Sequence, residues 1–185
     1  MATQTVGSSS SPKQFGLPVE YLKPRWYAAY TSANQEKRVA EQLGLRDVEH
    51  FLPLYSSVRR WKDRRVTLQM PLFPGYVFVY LALRDRLQVL QIHGFVHLVR
   101  FGGQPVALQE EDIHALLNCQ TRGHHLEPHP YLQAGLRARV KSGPLQGLEG
   151  IILRRKNRTR LILSFDLIMR SVAVEIDETD LAPVV

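Results

Sequence analysis

Between Thr121 and Gln133 the chain changes its pattern, and the change limits the architectures open to it. TRGHHLEPHPYLQ holds two prolines and three histidines and has no apolar period, so it reads as a connecting segment. Upstream, short apolar runs alternate with segments of helical period. Downstream, residues 134–185 hold only β-type runs: LRARVK, EGIIL, RLILSF, SVAVEI and DLAPV. Gly143-Pro144, Asn157 and Asp177 lie between some of them. About five strands in about 50 residues suit a small barrel, which leaves few edges exposed. The expected division is a disordered polar tail over 1–22, a first domain over 23–120, a linker over 121–133 and a second domain over 134–185.

The first domain carries its own order. WYAAY (Trp26–Tyr30) reads as a strand. Ser32 followed by Gln35 has the form of a capping box, Val39, Ala40 and Leu43 share a helical face, and Gly44 suits a C-terminal cap. EHFLPLY (Glu49–Tyr55) is a second strand, with Pro53 marking an edge or bulge. FPGYVFVY (Phe73–Tyr80) is a third. LRDRLQVLQI predicts a short helix with Leu83, Leu87 and Leu90 on one face. FVHLVRF (Phe95–Phe101) is a strand that ends at the turn signal Gly102-Gly103. QEEDIHALLNC is a helix whose Glu110, Glu111 and Asp112 suit the positive end of its dipole. This mixed order predicts an α+β fold, with a split βαββαβ antiparallel sheet and helices followed by the small SH3-like barrel.

Charge and composition narrow the function. A net charge of +7 favours a polyanionic partner, because Lys and Arg replace the counterions around phosphates. The alternative is charge that merely prevents association. The single cysteine, Cys119, excludes an internal disulfide and leaves no CxxC-type zinc site. No run approaches the roughly 18 apolar residues a membrane span needs, and the Ser-rich start lacks the apolar core of a secretory signal. A cytoplasmic protein without a membrane partner is expected.

Few residues suggest chemistry. His124, His125 and His129 sit near Glu127 in a spacing that matches no standard metal site. Cys119 lies late in a helix beside Leu116 and Leu117 and suits a structural, partly buried position. There is no nucleophile elbow, no phosphate-binding glycine loop and no evident pair of carboxylates for acid–base work. No enzyme and no cofactor are expected. SVRRWKDRR (Ser57–Arg65) is different: Arg59, Arg60, Lys62, Arg64 and Arg65 surround Trp61. As a two-stranded arm it can grip phosphates; the alternative is a solvated hairpin with salt bridges through Asp63. RRKNRTR (Arg154–Arg160) resembles a hairpin tip that either touches RNA or protects a β edge with charge.

VKSGPLQGLEGIIL (Val140–Leu153) resembles the KOW motif: a strand, a Gly-Pro turn, then Gly147 and Gly150 where the backbone bends before the next strand. RWYAAYTSANQEKRVAEQL, PLFPGYVFVYL and GFVHLVRFGGQPVAL, in that order, are similar to the N-terminal (NGN) domain of the NusG family of transcription elongation factors. The likeness covers about Arg25 to Val185. LFPGYVFV and VRFGGQP look closer to specialised paralogues such as RfaH and the antiterminators of polysaccharide operons than to housekeeping NusG. LRDRLQVLQI departs from RfaH, with Leu87, Gln88 and Val89 where RfaH has the His-Thr-Thr segment of its gate-loop contact.

The resemblance implies a transcription elongation and antitermination factor. Its N-terminal domain would bind the clamp helices of RNA polymerase through a hydrophobic concavity. Strand parity sets Tyr76, Phe78 and Tyr80 on one face and Val77 and Val79 on the other. The valines are expected against the helices and the aromatic row outward. Tyr30, Phe73, Tyr76 and Phe78 are the polymerase-contact candidates that the resemblance carries over. The basic arm would lie along upstream DNA or nascent RNA. The KOW domain would bind ribosomal protein S10 or Rho through Leu167, Ile168 and Met169, for which ordinary barrel core is the alternative. A different class of function, a ribosome-associated or free RNA-binding KOW protein, is the competing expectation.

Overall fold

The computed structural model describes residues 18–61, 64–129, 135–143, 145–155 and 158–184. The elements are β1 (Arg25–Thr31), α1 (Glu36–Gly44), β2 (Glu49–Phe51), β3 (Leu54–Trp61), β4 (Arg64–Pro71), β5 (Tyr76–Leu81), α2 (Leu87–Leu90), β6 (Phe95–Leu98), β7 (Arg100–Phe101), β8 (Gln104–Pro105) and α3 (Glu110–Thr121). They continue as β9 (Leu126–His129), β10 (Arg137–Val140), β11 (Glu149–Arg155), β12 (Arg158–Phe165), β13 (Arg170–Ile176) and β14 (Leu181–Pro183). The fold is α+β and its strand pairs are antiparallel, as the alternating pattern predicts.

The first sheet has the order β2-β5-β1-β6. Its central strands are buried on both faces, and side-chain parity sorts them. Tyr27, Ala29, Val77, Val79 and Leu81 pack with Val39, Ala40 and Leu43 of α1 and with Val89 of α2. The opposite parity, Trp26, Ala28 and Phe78, joins a cluster that also holds Ile113, Leu116 and Cys119 of α3. That cluster continues into the C-terminal sheet through Val140, Leu161, Leu163, Phe165, Ile168, Val172 and Val174. The first sheet is thus covered on both sides, which explains why β1 and β5 read as nearly continuous apolar runs rather than alternating ones.

Three local expectations are corrected. The helix after β1 starts at Glu36 with Gln35 as its N-cap and has no side-chain cap bond. Ser32 instead closes a turn, its carbonyl accepting the Gln35 N–H at 3.1 Å, so the capping box does not form. Gly44 ends the helix without a left-handed cap. The residue with positive φ is Asp47, and the Val48 N–H returns to the Leu43 carbonyl. In LRDRLQVLQI a 3₁₀ turn over Leu83–Asp85 precedes α2, so the phase shifts. Leu83, Val89 and Ile92 are buried, whereas Leu87 and Leu90 are exposed.

The second sheet has the order β14-β10-β11-β12-β13-β9. The five β-type runs of residues 134–185 supply β10 to β14, in agreement with an SH3-like unit. Gly150 is required where β11 crosses β12: a Cβ there would lie 2.5 Å from the Ile162 carbonyl oxygen. The sixth strand is unexpected. Leu126–His129 pairs along β13, setting Leu126 opposite Val174 and His129 opposite Ser171. The sequence hides this strand because Pro128 and three nearby histidines mask a single apolar anchor, Leu126. Residues 130–133, the rest of the expected connecting segment, and most of the tail lie outside the described residues.

Candidate functional site

The FPGYVFVY segment begins with a turn, in which the Tyr76 N–H donates to the Phe73 carbonyl at 3.0 Å. Gly75 sits at φ +85°, where an L side chain is strained, and a Cβ there would lie 3.3 Å from the Tyr30 ring. Its N–H donates to Glu36 Oε1 at 2.7 Å, and its carbonyl accepts from Thr31 N–H at 2.8 Å. Glu36 is buried, at 5% exposure. A carboxylate hidden at the start of α1 therefore pins the turn that carries the aromatic row. Periodicity alone does not reveal it, because a Glu in a first helical turn ordinarily serves the helix dipole.

Beyond the turn the rings form two groups, joined where Tyr76 packs against the cluster that holds Phe73 and Phe78. Tyr30 lies 5.5 Å from Tyr76 and 5.4 Å from His97, centroid to centroid. Phe73 meets Phe78 edge-on at 5.5 Å, and Phe78 stacks on Phe51 at 6.3 Å. The four predicted contact residues are thus brought together. Their exposure differs from the expectation, however. Tyr30 is 40% exposed and Tyr76 half-buried, while Phe73 and Phe78 are fully buried. The valines face the helices as parity predicts; Phe73 and Phe78 face the C-terminal sheet and not water.

The cover comes from β12 and the short turn after it. Phe165 packs edge-on against Phe73 at 5.2 Å and stacks on Phe78 at 6.3 Å. The guanidinium of Arg170 sits 5.9 Å above the Tyr76 ring. Of the three residues expected to contact a partner there, Ile168 is buried in the shared cluster, Leu167 is half-buried and Met169 is 61% exposed. Phe165 is the residue that sequence reasoning missed. Its signal was an aromatic at the end of RLILSF, directly before the apolar DLIM turn. Asp112 of α3 has its carboxyl raised above the usual range by burial, then by Glu111 and by Asp166 of the C-terminal sheet.

The basic arm is the long hairpin β3–β4. Arg59, Arg60, Arg64 and Arg65 are all exposed on it, and Arg60 stands directly opposite Arg65. Like charges at facing positions cost stability unless an anion lies between them. Lys62 and Asp63 lie outside the described residues. In the second basic cluster Arg160 binds Glu127 at 2.6 Å, and Lys156 and Asn157 lie outside the described residues. Cys119 is buried in α3 and its thiol is pushed up to about 11 by burial, so it is inert at neutral pH. Among the described residues no helix is long and apolar enough to cross a membrane.

Comparison with known proteins agrees with this architecture. The family model described as "Transcription termination factor nusG" matches residues 24–117, from the start of β1 through most of α3. The transcription termination/antitermination protein NusG of Deinococcus radiodurans is 25% identical over 185 aligned positions, covering 85% of this chain and 97% of that protein. Its counterpart in Borreliella burgdorferi is 23% identical, covering 82% of this chain and 94% of that protein. A solved structure titled "Domain interaction in Thermotoga maritima NusG" superposes with a TM-score of 0.55 at 19% identity, over 87% of this chain and 97% of that one. The matched region contains the turn, the aromatic row and the basic arm, and so the chain belongs to the NusG family of transcription termination and antitermination factors.

Proposed function

We propose that this chain is a transcription elongation and antitermination factor that binds RNA polymerase through the row Tyr30, Phe73, Tyr76 and Phe78, and that burial of Phe73 and Phe78 under the C-terminal sheet is a partly covered state of this row. The observation that carries the reading is the packing of Phe165 against both Phe73 and Phe78. Large aromatic side chains with few rotors suit a docking anchor, and an uncovered patch of this kind is costly in water. The C-terminal sheet meets that cost when polymerase is absent. Residues 23–120 act as the docking unit and 134–185 as the cover and recruiting unit. Release of the cover frees both surfaces together: the aromatic row for the clamp helices of the polymerase, and Phe165, Leu167, Ile168 and Met169 for a second protein such as ribosomal protein S10 or Rho. Within the family the chain is a specialised paralogue, a reading supported by LFPGYVFV, VRFGGQP and the covered row.

The arm supplies a further contact. Facing Arg60 and Arg65 suit a phosphate backbone placed between them, which fits upstream DNA or nascent RNA beside the polymerase. Bound polymerase would favour one clamp state and shift its population. The test is binding of the wild type and Tyr30→Ala to purified core RNA polymerase, with RNA alone as a control. Binding weakened by the substitution is the expected result. Binding to RNA only, unaffected by Tyr30→Ala, contradicts the reading and returns the chain to the class of RNA-binding KOW proteins.

A further inference from the structure

The C-terminal sheet ends on one side at a strand contributed by the chain's own connecting segment. β9 is four residues long and runs along the edge of β13. It is short for an edge strand and carries a proline. Pro128, opposite Val172, has no N–H to give to the ladder. Two of its side chains reach into the sheet. Leu126, opposite Val174, is buried in the shared apolar cluster. Glu127, opposite Ala173, accepts from Arg160 Nη1 at 2.6 Å and pairs with His125 Nε2 at 2.8 Å. Beneath β9 lies a far longer strand: β13 spans seven residues and keeps a continuous ladder with β12 from Arg170 to Ile176. The sheet beneath is therefore complete without β9.

We propose that the edge of β13 is a docking site for an extended segment of a partner protein, and that β9 is its intramolecular placeholder. Strand addition draws affinity from main-chain bonds and specificity from alternate side-chain pockets. The placeholder shows what those pockets take: an aliphatic side chain in the Leu126 position, followed by a carboxylate within reach of Arg160. A partner strand with this apolar–acidic pair could follow the same edge and extend along the rest of the seven-residue β13, which β9 covers only from Ser171 to Val174. The inference deepens the recruitment half of the function above and rests on the C-terminal sheet being a recruiting unit. Its test contains no polymerase, so its failure leaves the aromatic docking face untouched.

The probe is a labelled peptide that copies the segment, HHLEPH, titrated against the full chain. A tethered competitor lowers apparent affinity by the fraction of time the edge is free. Glu127→Ala, a substitution at a partly exposed side chain, loosens the tether and leaves Arg160 for the peptide. It is expected to bind the peptide about tenfold tighter than the wild type. A second variant, His129→Cys with Ser171→Cys, joins facing positions whose separation in an antiparallel pair suits a disulfide. Oxidised, it is expected to lose peptide binding and, reduced, to regain it. No binding by Glu127→Ala, or equal binding by the oxidised and reduced staple, overturns the proposal. Hydrogen exchange checks it without variants: the β13 amides that face β9 are expected to exchange ahead of the β12 amides of Leu161–Leu163. Equal protection would make β9 a permanent part of the sheet and would overturn the placeholder.

Discussion

At the scale of single residues, the proposed docking face depends on side chains whose importance lies in what they hold still. Glu36 accepts the Gly75 N–H from a buried position. Glu36→Ala leaves that N–H without its acceptor and is expected to cost about 1–3 kcal/mol, with Glu36→Gln losing less, as measured by urea unfolding. Gly75→Ala adds backbone strain to the near contact with Tyr30, so it is expected to destabilise the fold and shift the Tyr30 ring signals in NMR spectra. The parity of FPGYVFVY tells which side chains share a face, and the structure keeps that sorting for Val77 and Val79 against Tyr76 and Phe78. Parity does not tell what covers the second face. Phe165 lies 87 residues beyond Phe78, and no local pattern encodes a contact between distant segments.

At the scale of elements, periodicity finds the helices and most strands but misplaces their ends. The helix start moves from Ser32 to Gln35 because a turn takes the bond that a cap would use. The buried face of the α2 segment moves because a 3₁₀ turn changes the rotation per residue. β9 escapes notice because Leu126 is its one buried apolar residue and Pro128 interrupts it. Its behaviour in acid follows from Glu127, whose carboxyl is held below its usual value chiefly by the His125 hydrogen bond and also by Arg160, against the opposing effect of burial. A depressed carboxyl adds stability that is complete above the ordinary value of 4.5 and is lost as pH falls through the lower folded value. Protection of the β13 edge is therefore expected to drop below pH 4.5 in the wild type, and to change little in Glu127→Gln. The arm makes a separate prediction. Replacing Arg60 and Arg65 by Gln removes a like-charge pair, so it should leave the fold intact. It should also reduce the salt dependence of DNA binding, by about one unit of slope for each phosphate that the arm no longer neutralises.

At the scale of the whole molecule, two antiparallel sheets share one apolar cluster, and the partners of that cluster are the same surfaces assigned to outside proteins. On the proposed reading, docking and recruitment are linked through the buried part of the two faces, Phe73 and Phe78 on one side and Phe165 and Ile168 on the other. Phe165 packs directly on Phe73 and Phe78, with Arg170 over Tyr76 at the rim. Truncating a buried Phe costs roughly 3–5 kcal/mol, and in Phe165→Ala most of that cost falls on the closed arrangement. The open form should gain population accordingly. The measurement that tests this most directly is the affinity of Phe165→Ala for purified core RNA polymerase beside that of the wild type, each with and without Tyr30→Ala. Tighter binding by Phe165→Ala, reversed by adding Tyr30→Ala, is the predicted result. Equal or weaker binding by a folded Phe165→Ala would show that the C-terminal sheet does not guard the docking face.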